Sequence, residues 1–184
     1  MLVNWVLADT YQLDPTIEPD RLKSIGPTWG SWKTWRSCAT DNVICHDMSK
    51  ARDLIGRAFQ AVCNFYLPKN YYQDLERPMG IKLYDGEFPF NIDHTENIVG
   101  MHLVADISDI VLLVGFNLTP IAPSSDRVTD TKIQHYHGMI RAKIKNTPEV
   151  QWVLVDHSSE LDQSYQNLPN LTCDTMENAL KLLL

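Results

Sequence analysis

No apolar run in this chain approaches the roughly 20 residues that a membrane-crossing helix requires, so no membrane span and no membrane partner is expected. The opening Met1-Leu2-Val3-Asn4-Trp5-Val6 has no basic region ahead of a sustained apolar stretch, and no secretory signal is read there. The four cysteines (Cys38, Cys45, Cys63 and Cys173) lack CxxC spacing. That argues against structural zinc and predicts free, buried thiols in a reducing, cytoplasmic setting. Positive charge is also scarce. Sixteen Lys and Arg stand against 23 Asp and Glu, a formal charge of −7, which argues against a duplex-DNA binder working by phosphate neutralisation. It leaves room for a nucleotide pocket or a small basic patch. The sequence holds neither GxGxxG nor GxxxxGK[ST], so the two usual phosphate cradles are missing. HExxH and GxSxG are missing as well, and no repeat, heptad array or low-complexity segment interrupts the 184 residues. One domain is expected.

What is present centres on Asp109-Ile110-Val111-Leu112-Leu113-Val114-Gly115, followed by Phe116-Asn117-Leu118-Thr119-Pro120. An unbroken apolar run between polar residues suits a strand covered on both faces. The glycine at its end lets the backbone turn sharply or approach a ligand. Val3–Ala8 and Gln151–Val155 read the same way, with shorter strands at Asn42–Cys45, Gly80–Tyr84 and near Leu171. Helices are predicted near Asp20, over Thr95–Ile107, over Thr131–Lys145 and over Thr175–Leu183. A further helix is expected after Asp47, a natural N-cap. It would carry Leu54, Ile55, Ala58, Phe59, Val62, Phe65 and Tyr66 on one face until Pro68 stops it. Strands alternating with helices predict an α/β fold: a three-layer, Rossmann-like domain with a mainly parallel sheet.

In such sheets ligands bind outside the carboxyl ends of the strands. Asp9, Asp47, Asp85, Gly115, Asn117, Thr119, Asp156 and Ser158 would gather on that rim. Asn117 and Thr119 can hydrogen-bond a ribose or phosphate, and Asp156 can accept from a ribose hydroxyl. Aspartate and serine at these places also serve as turn formers and helix caps. The stretch Gly26–Arg36 holds Trp29, Trp32 and Trp35 interleaved with Lys33 and Arg36. Such a loop can stack on a base, dock on a partner protein, or pack as an irregular loop core. His135 and His137, like His94 and His102, lack metal-ligand spacing, so neither a metal nor a cofactor is expected. Two Asn-Leu-Thr sequons, at Asn117 and Asn170, matter only in a secreted chain.

Two resemblances bear on function. Asp109 to Pro123 resembles the sirtuin strand and loop DxVLVIGTSLxVxP, with Phe116-Asn117 in place of Thr-Ser, and Phe90–His94 resembles TQNIDxLH. In sirtuins both segments contact NAD. Here the GAGxS loop and the zinc cysteines are absent, and 15 residues separate Asp93 from Asp109. The resemblance implies a related sheet and not deacylation. Met1 through Arg36, NVICHDMSKARDL and VQWVLVDHSSELDQ are similar to an early, dispensable accessory protein of T-even-type bacteriophages. That similarity implies a host cytoplasm and a role in redirecting host functions, and it transfers no catalytic residue. The leading expectation is therefore a phage accessory protein binding a nucleotide-type small molecule, or a host protein, at the rim. An enzyme acting on a nucleotide or N-glycosidic bond is the alternative, with Asp9, Asp47, Asp93 or Asp156 as base. A host-protein module using the Trp29–Trp35 loop is the other.

Overall fold

Every residue of β1 (Val3–Leu7) is buried, as expected of a strand with packed layers on both sides. The computed structural model describes residues 1–9, 19–85, 94–120, 126–157 and 160–181. The elements follow in chain order. After β1 come α1 (Pro19–Ile25), β2 (Thr28–Ser31), α2 (Trp32–Cys38), β3 (Asn42–Ile44), α3 (Met48–Gly56) and β4 (Asn64–Pro68). Then follow α4 (Tyr71–Asp74), β5 (Ile81–Tyr84), α5 (Thr95–Ala105), β6 (Ile110–Val114), α6 (Arg127–Asn146), β7 (Gln151–Val155), β8 (Leu171–Asp174) and α7 (Met176–Ala179). The eight strands form one sheet in the order β5-β4-β3-β2-β1-β6-β7-β8. Every pairing is parallel. This is the expected three-layer, Rossmann-like α/β fold.

Side-chain alternation along each strand divides the core. Val6, Ile44, Val111, Leu113, Trp152 and Leu154 face α5 and α6. Trp5, Leu7, Leu112, Val114, Val153 and Val155 face the opposite layer, with Leu22 of α1 and Met176 of α7. On that same side, Val43, Cys45, Phe65 and Leu67 pack with Ala51 and Leu54 of α3. Helix α5 is buried nearly all round, the pattern of a helix inside the molecule rather than on its surface. It carries the chain from edge strand β5 back to β6, and packs over β1, β2 and β3 on the way. Gly100 permits this closeness: a Cβ there would lie 3.1 Å from Val6 Cγ1.

Two sequence readings are corrected. The helix after Asp47 ends at Gly56 instead of running toward Pro68. Ala58 adopts φ 55°, a 3-10 turn covers Phe59–Ala61, and Asn64–Pro68 is strand β4. Phe65 continues the helical stripe of Ala58 and Val62, but it shares its buried face with Leu67, two residues on, as only a strand allows, and pairing with β3 and β5 selects the strand. The Trp-rich stretch is likewise no irregular loop. Thr28–Ser31 is β2, and the Ser31 hydroxyl caps α2 by accepting from the amides of Lys33 (3.1 Å) and Thr34 (3.3 Å). With Pro27 before it and Gly30 inside it, β2 has little strand propensity of its own. Its neighbours β1 and β3 hold it in place. Helix α6 begins at Arg127 rather than Thr131, because Asp126 accepts from the Val128 amide at 3.0 Å and caps it earlier.

Candidate functional site

Parallel strands send every carboxyl end to one rim, and β1 and β6 lie side by side in register from Val3↔Ile110 to Leu7↔Val114. From β1 the chain order runs outward through β2 to β5 on one side, and from β6 through β7 to β8 on the other. The gap between β1 and β6 is thus the point where strand order reverses, the place open α/β sheets use for ligands. Asp9 stands just past the end of β1. Gly115, at φ 75°, ends β6. Asp156 follows β7, which pairs with β6 through Val114↔Val155.

These rim residues hold different partners. Asp156 has φ 53°, and its Oδ1 accepts from the Met176 amide at 2.7 Å, tying β7 to the start of α7. It also lines a cavity of about 490 Å³ with His157, Cys173, Asp174 and Thr175. Asn117 Oδ1 accepts from the amide (3.2 Å) and hydroxyl (2.8 Å) of Thr119, a local turn on the exposed rim. Asp47 caps α3 by accepting from the Lys50 amide at 2.8 Å. Asp85 pairs with Lys69. Ser158 and Asp93 lie outside the described residues.

The tryptophans pack inward. Trp29 is buried, and its Nε1 donates to Asn4 Oδ1 at 2.9 Å. Trp35 meets Phe59 edge to face at 4.8 Å. Trp32 packs beside the β3–β4 core, covered by Arg36 at 4.9 Å and Lys50 at 4.5 Å. Lys33 points to the rim, with Nζ 4.0 Å from Asp9 Oδ2.

A polar cluster forms around Asp9, largely from residues outside the rim set read from sequence. The Asp9 side chain is 3% exposed. Its Oδ2 lies 3.3 Å from His94 Nδ1, and its backbone amide donates to Asn97 Oδ1 at 3.2 Å. Asn97 Nδ2 donates to the Tyr136 hydroxyl at 3.3 Å. Glu96 Oε1 accepts from the His46 amide at 3.3 Å, and His46 Nδ1 is 2.7 Å from the Tyr84 hydroxyl. Asp9 Oδ1 is buried and accepts no hydrogen bond. His94, Glu96 and Asn97 flank the first turn of α5, and a crossover helix in a parallel sheet starts at the rim. Placing a helix over Thr95–Ile107 was signal enough to bring them there.

The two carboxyl groups are driven in opposite directions. Burial alone would raise Asp9, but hydrogen bonds to His94 and Ser31 and the charges of His94 and Lys33 outweigh it, holding it below the usual carboxylate range. Burial, and then the nearby Asp9 charge, push Glu96 up. Burial lowers His46. It also pushes Cys45 up to about 12 and Cys38 and Cys63 to about 11, so none of these thiols is a ready nucleophile.

A pH prediction follows from Glu96. Its proton is held more tightly in the folded chain than in the unfolded one, so stability falls as pH rises from its ordinary value of 4.5 through the raised one. Asp9 acts oppositely, its contribution being lost as pH falls from 3.8 through its lowered value. Glu96→Gln keeps an acceptor for the His46 amide and removes the ionisation. The variant is expected to gain on wild type in Tm at pH 8 and to match it near pH 4. An equal Tm difference at both pH values would refute the assignment.

Comparison with protein-family models, with curated proteins and with solved structures finds no match to this chain. Among the described residues no three His, Cys, Asp or Glu side chains are grouped to hold a metal ion. No helix among them is long and apolar enough to cross a membrane.

Proposed function

We propose that the chain binds a nucleotide-type small molecule in the crevice between the ends of β1 and β6, as an accessory protein of an infected host's cytoplasm. The observation that carries this is Asp9, a buried carboxylate at the point where strand order reverses, with one oxygen lacking a donor. An unsatisfied buried acceptor costs about 1–3 kcal/mol. Such exceptions are concentrated where a ligand supplies the missing bond. A ribose hydroxyl is a donor of the right kind, Lys33 offers a cation for phosphate, and Gly115 allows a close backbone approach. The phage setting rests on the sequence resemblance alone. Docking of a host protein through the tryptophan segment has less in its favour, since Trp29 is spent on the core and Trp32 and Trp35 pack on α3 and the turn after it.

Thermal melts of the whole chain with NAD, ADP-ribose, ATP and a cyclic dinucleotide test the reading. A true ligand at a hundredfold excess over its Kd adds about 2.7 kcal/mol. At about 2–4 °C per kcal/mol for a chain of this size, that is a shift of roughly 5–10 °C. Asp9→Asn is expected to abolish most of it. A flat response to all four compounds would remove the proposal's support.

A further inference from the structure

We propose that a second copy of this chain pairs along β8, edge to edge and antiparallel, about a two-fold axis at Thr172, so that the two sheets join into one. Strand direction reverses across such an axis, so the two β1–β6 crevices stay open at opposite ends of the pair.

β8 forms one edge of the sheet and, among the described residues, pairs only with β7. The Trp152 amide donates to the Asn170 carbonyl and the Asp156 amide to the Asp174 carbonyl, both at 2.8 Å. Alternate residues of a strand carry its bonds to one neighbour. Asn170, Thr172 and Asp174 therefore face β7, while Leu171 and Cys173 turn their main-chain groups outward. The Leu171 N–H is taken by the Leu168 carbonyl at 3.1 Å. The edge is left with one open donor, the Cys173 N–H, and the carbonyls of Leu171 and Cys173 as acceptors. Thr172 and Cys173 are both exposed.

An unpaired edge is a template for another strand unless a charge, a proline or a bulge blunts it. The opposite edge, β5, carries Lys82 within the strand. β8 reads Leu171-Thr172-Cys173-Asp174, with its one charge at the very end and no proline inside it.

The occupant follows from the groups that β8 leaves open. An antiparallel copy centred on Thr172 sets each Leu171 opposite the Cys173 of the other chain. Each Cys173 N–H then donates to a Leu171 carbonyl, so the open donor is used in both copies, as a self-complementary interface requires. On one face each Leu171 meets a Cys173 side chain, and on the other the two Thr172 hydroxyls meet at the axis, both favourable cross-strand pairs. The pairing also ends cleanly. Pro169 of the second copy, which has no N–H, comes opposite Thr175, whose amide already donates to Asp174 Oδ1 at 2.8 Å. The second copy's Pro169 and Asn170 thereby run along the mouth of the cavity lined by Cys173, Asp174 and Thr175. Centring on Cys173 instead would set Leu171 against Thr175, the N-cap at which the chain turns into α7.

Light scattering on the full chain, with its thiols kept reduced, reads the mass at about 200 µM and about 2 µM, where mass action separates a weak pair from its monomers. Wild type is expected to show twice the chain mass at the higher concentration. Thr172→Glu and Thr172→Lys each set like charges face to face at the axis. Each is expected to weaken pairing by about 10-fold or more, and an equal mixture of the two to restore it. Residue 172 is exposed, so both variants are expected to keep the wild-type Tm. Cys173→Pro removes the outward N–H, leaves the bonds to β7 in place, and is expected to be a monomer. A wild-type monomer at both concentrations overturns the proposal. A dimer that survives both charge variants, or a mixture that stays monomeric, overturns it too.

Discussion

Trp152→Ala is expected to lower the unfolding free energy by about 3–5 kcal/mol, the range for removing a large aromatic from a closed core. The indole is fully buried in β7, which lies between β6 and β8, and it packs under α6 with Ile140 and Ile144. Its Nε1 donates to Thr147 Oγ1 at 3.1 Å, and that hydroxyl in turn donates to the Lys143 carbonyl at 2.8 Å. The change therefore opens a cavity and breaks the link between the end of α6 and the sheet. Against a typical total of about 5–15 kcal/mol it removes a large share of stability. Urea unfolding measures it. A loss below about 1 kcal/mol would mean that β7 is not an interior strand. Trp5 supplies the internal comparison. It is as deeply buried, but its indole N–H has no acceptor. Trp5→Phe removes an unsatisfied donor, whereas Trp152→Phe breaks a formed bond, so the former is expected to cost less.

Asn170→Leu is expected to cost about 2–4 kcal/mol, although the two side chains are close in size. The buried Asn170 Nδ2 donates to the carbonyls of Ile144 (3.0 Å), Thr147 (2.9 Å) and Val150 (3.1 Å). One amide thus clamps the last turn of α6, the connection after it and the approach to β7. Leucine removes the side-chain donor from all three in a dry place, leaving the Ile144 and Thr147 carbonyls only their backbone donors, the amides of Thr147 (3.4 Å) and Val150 (3.1 Å). Asn170→Asp is expected to be worse, since a carboxylate would face three carbonyl oxygens with no proton to offer. Chemical denaturation ranks the two variants, and an aspartate variant as stable as wild type would show that the amide nitrogen is not what holds this corner. The same geometry settles the sequon at Asn170. Its amide nitrogen is committed to the fold's interior, a burial that the Asn-Leu-Thr pattern does not reveal.

Much of the sheet was legible from composition along the chain. The runs at Ile110–Val114, Trp152–Val155 and, around Asn4, Val3–Leu7 are apolar at nearly every position, so they read as strands covered on both faces, and they are the three adjacent interior strands β6, β7 and β1. Asp47 was legible as a cap because the bond it makes spans three residues. β2 and β4 were hidden for opposite reasons. The Thr28–Ser31 segment is too short and too glycine-bearing to show a pattern, and the apolar positions around Phe65 match a helical period as well as a strand's.

The amino acids by themselves determined the fold class, three adjacent interior strands and the rim at their carboxyl ends, because continuous apolar runs and short-range caps are local properties of the chain. Only the tertiary structure decided that Asp9 and His94, 85 positions apart, meet over a buried carboxylate oxygen. Their meeting depends on strand order and on α5 crossing back over β1. Both are chosen by packing across the whole sheet, which no window of sequence contains.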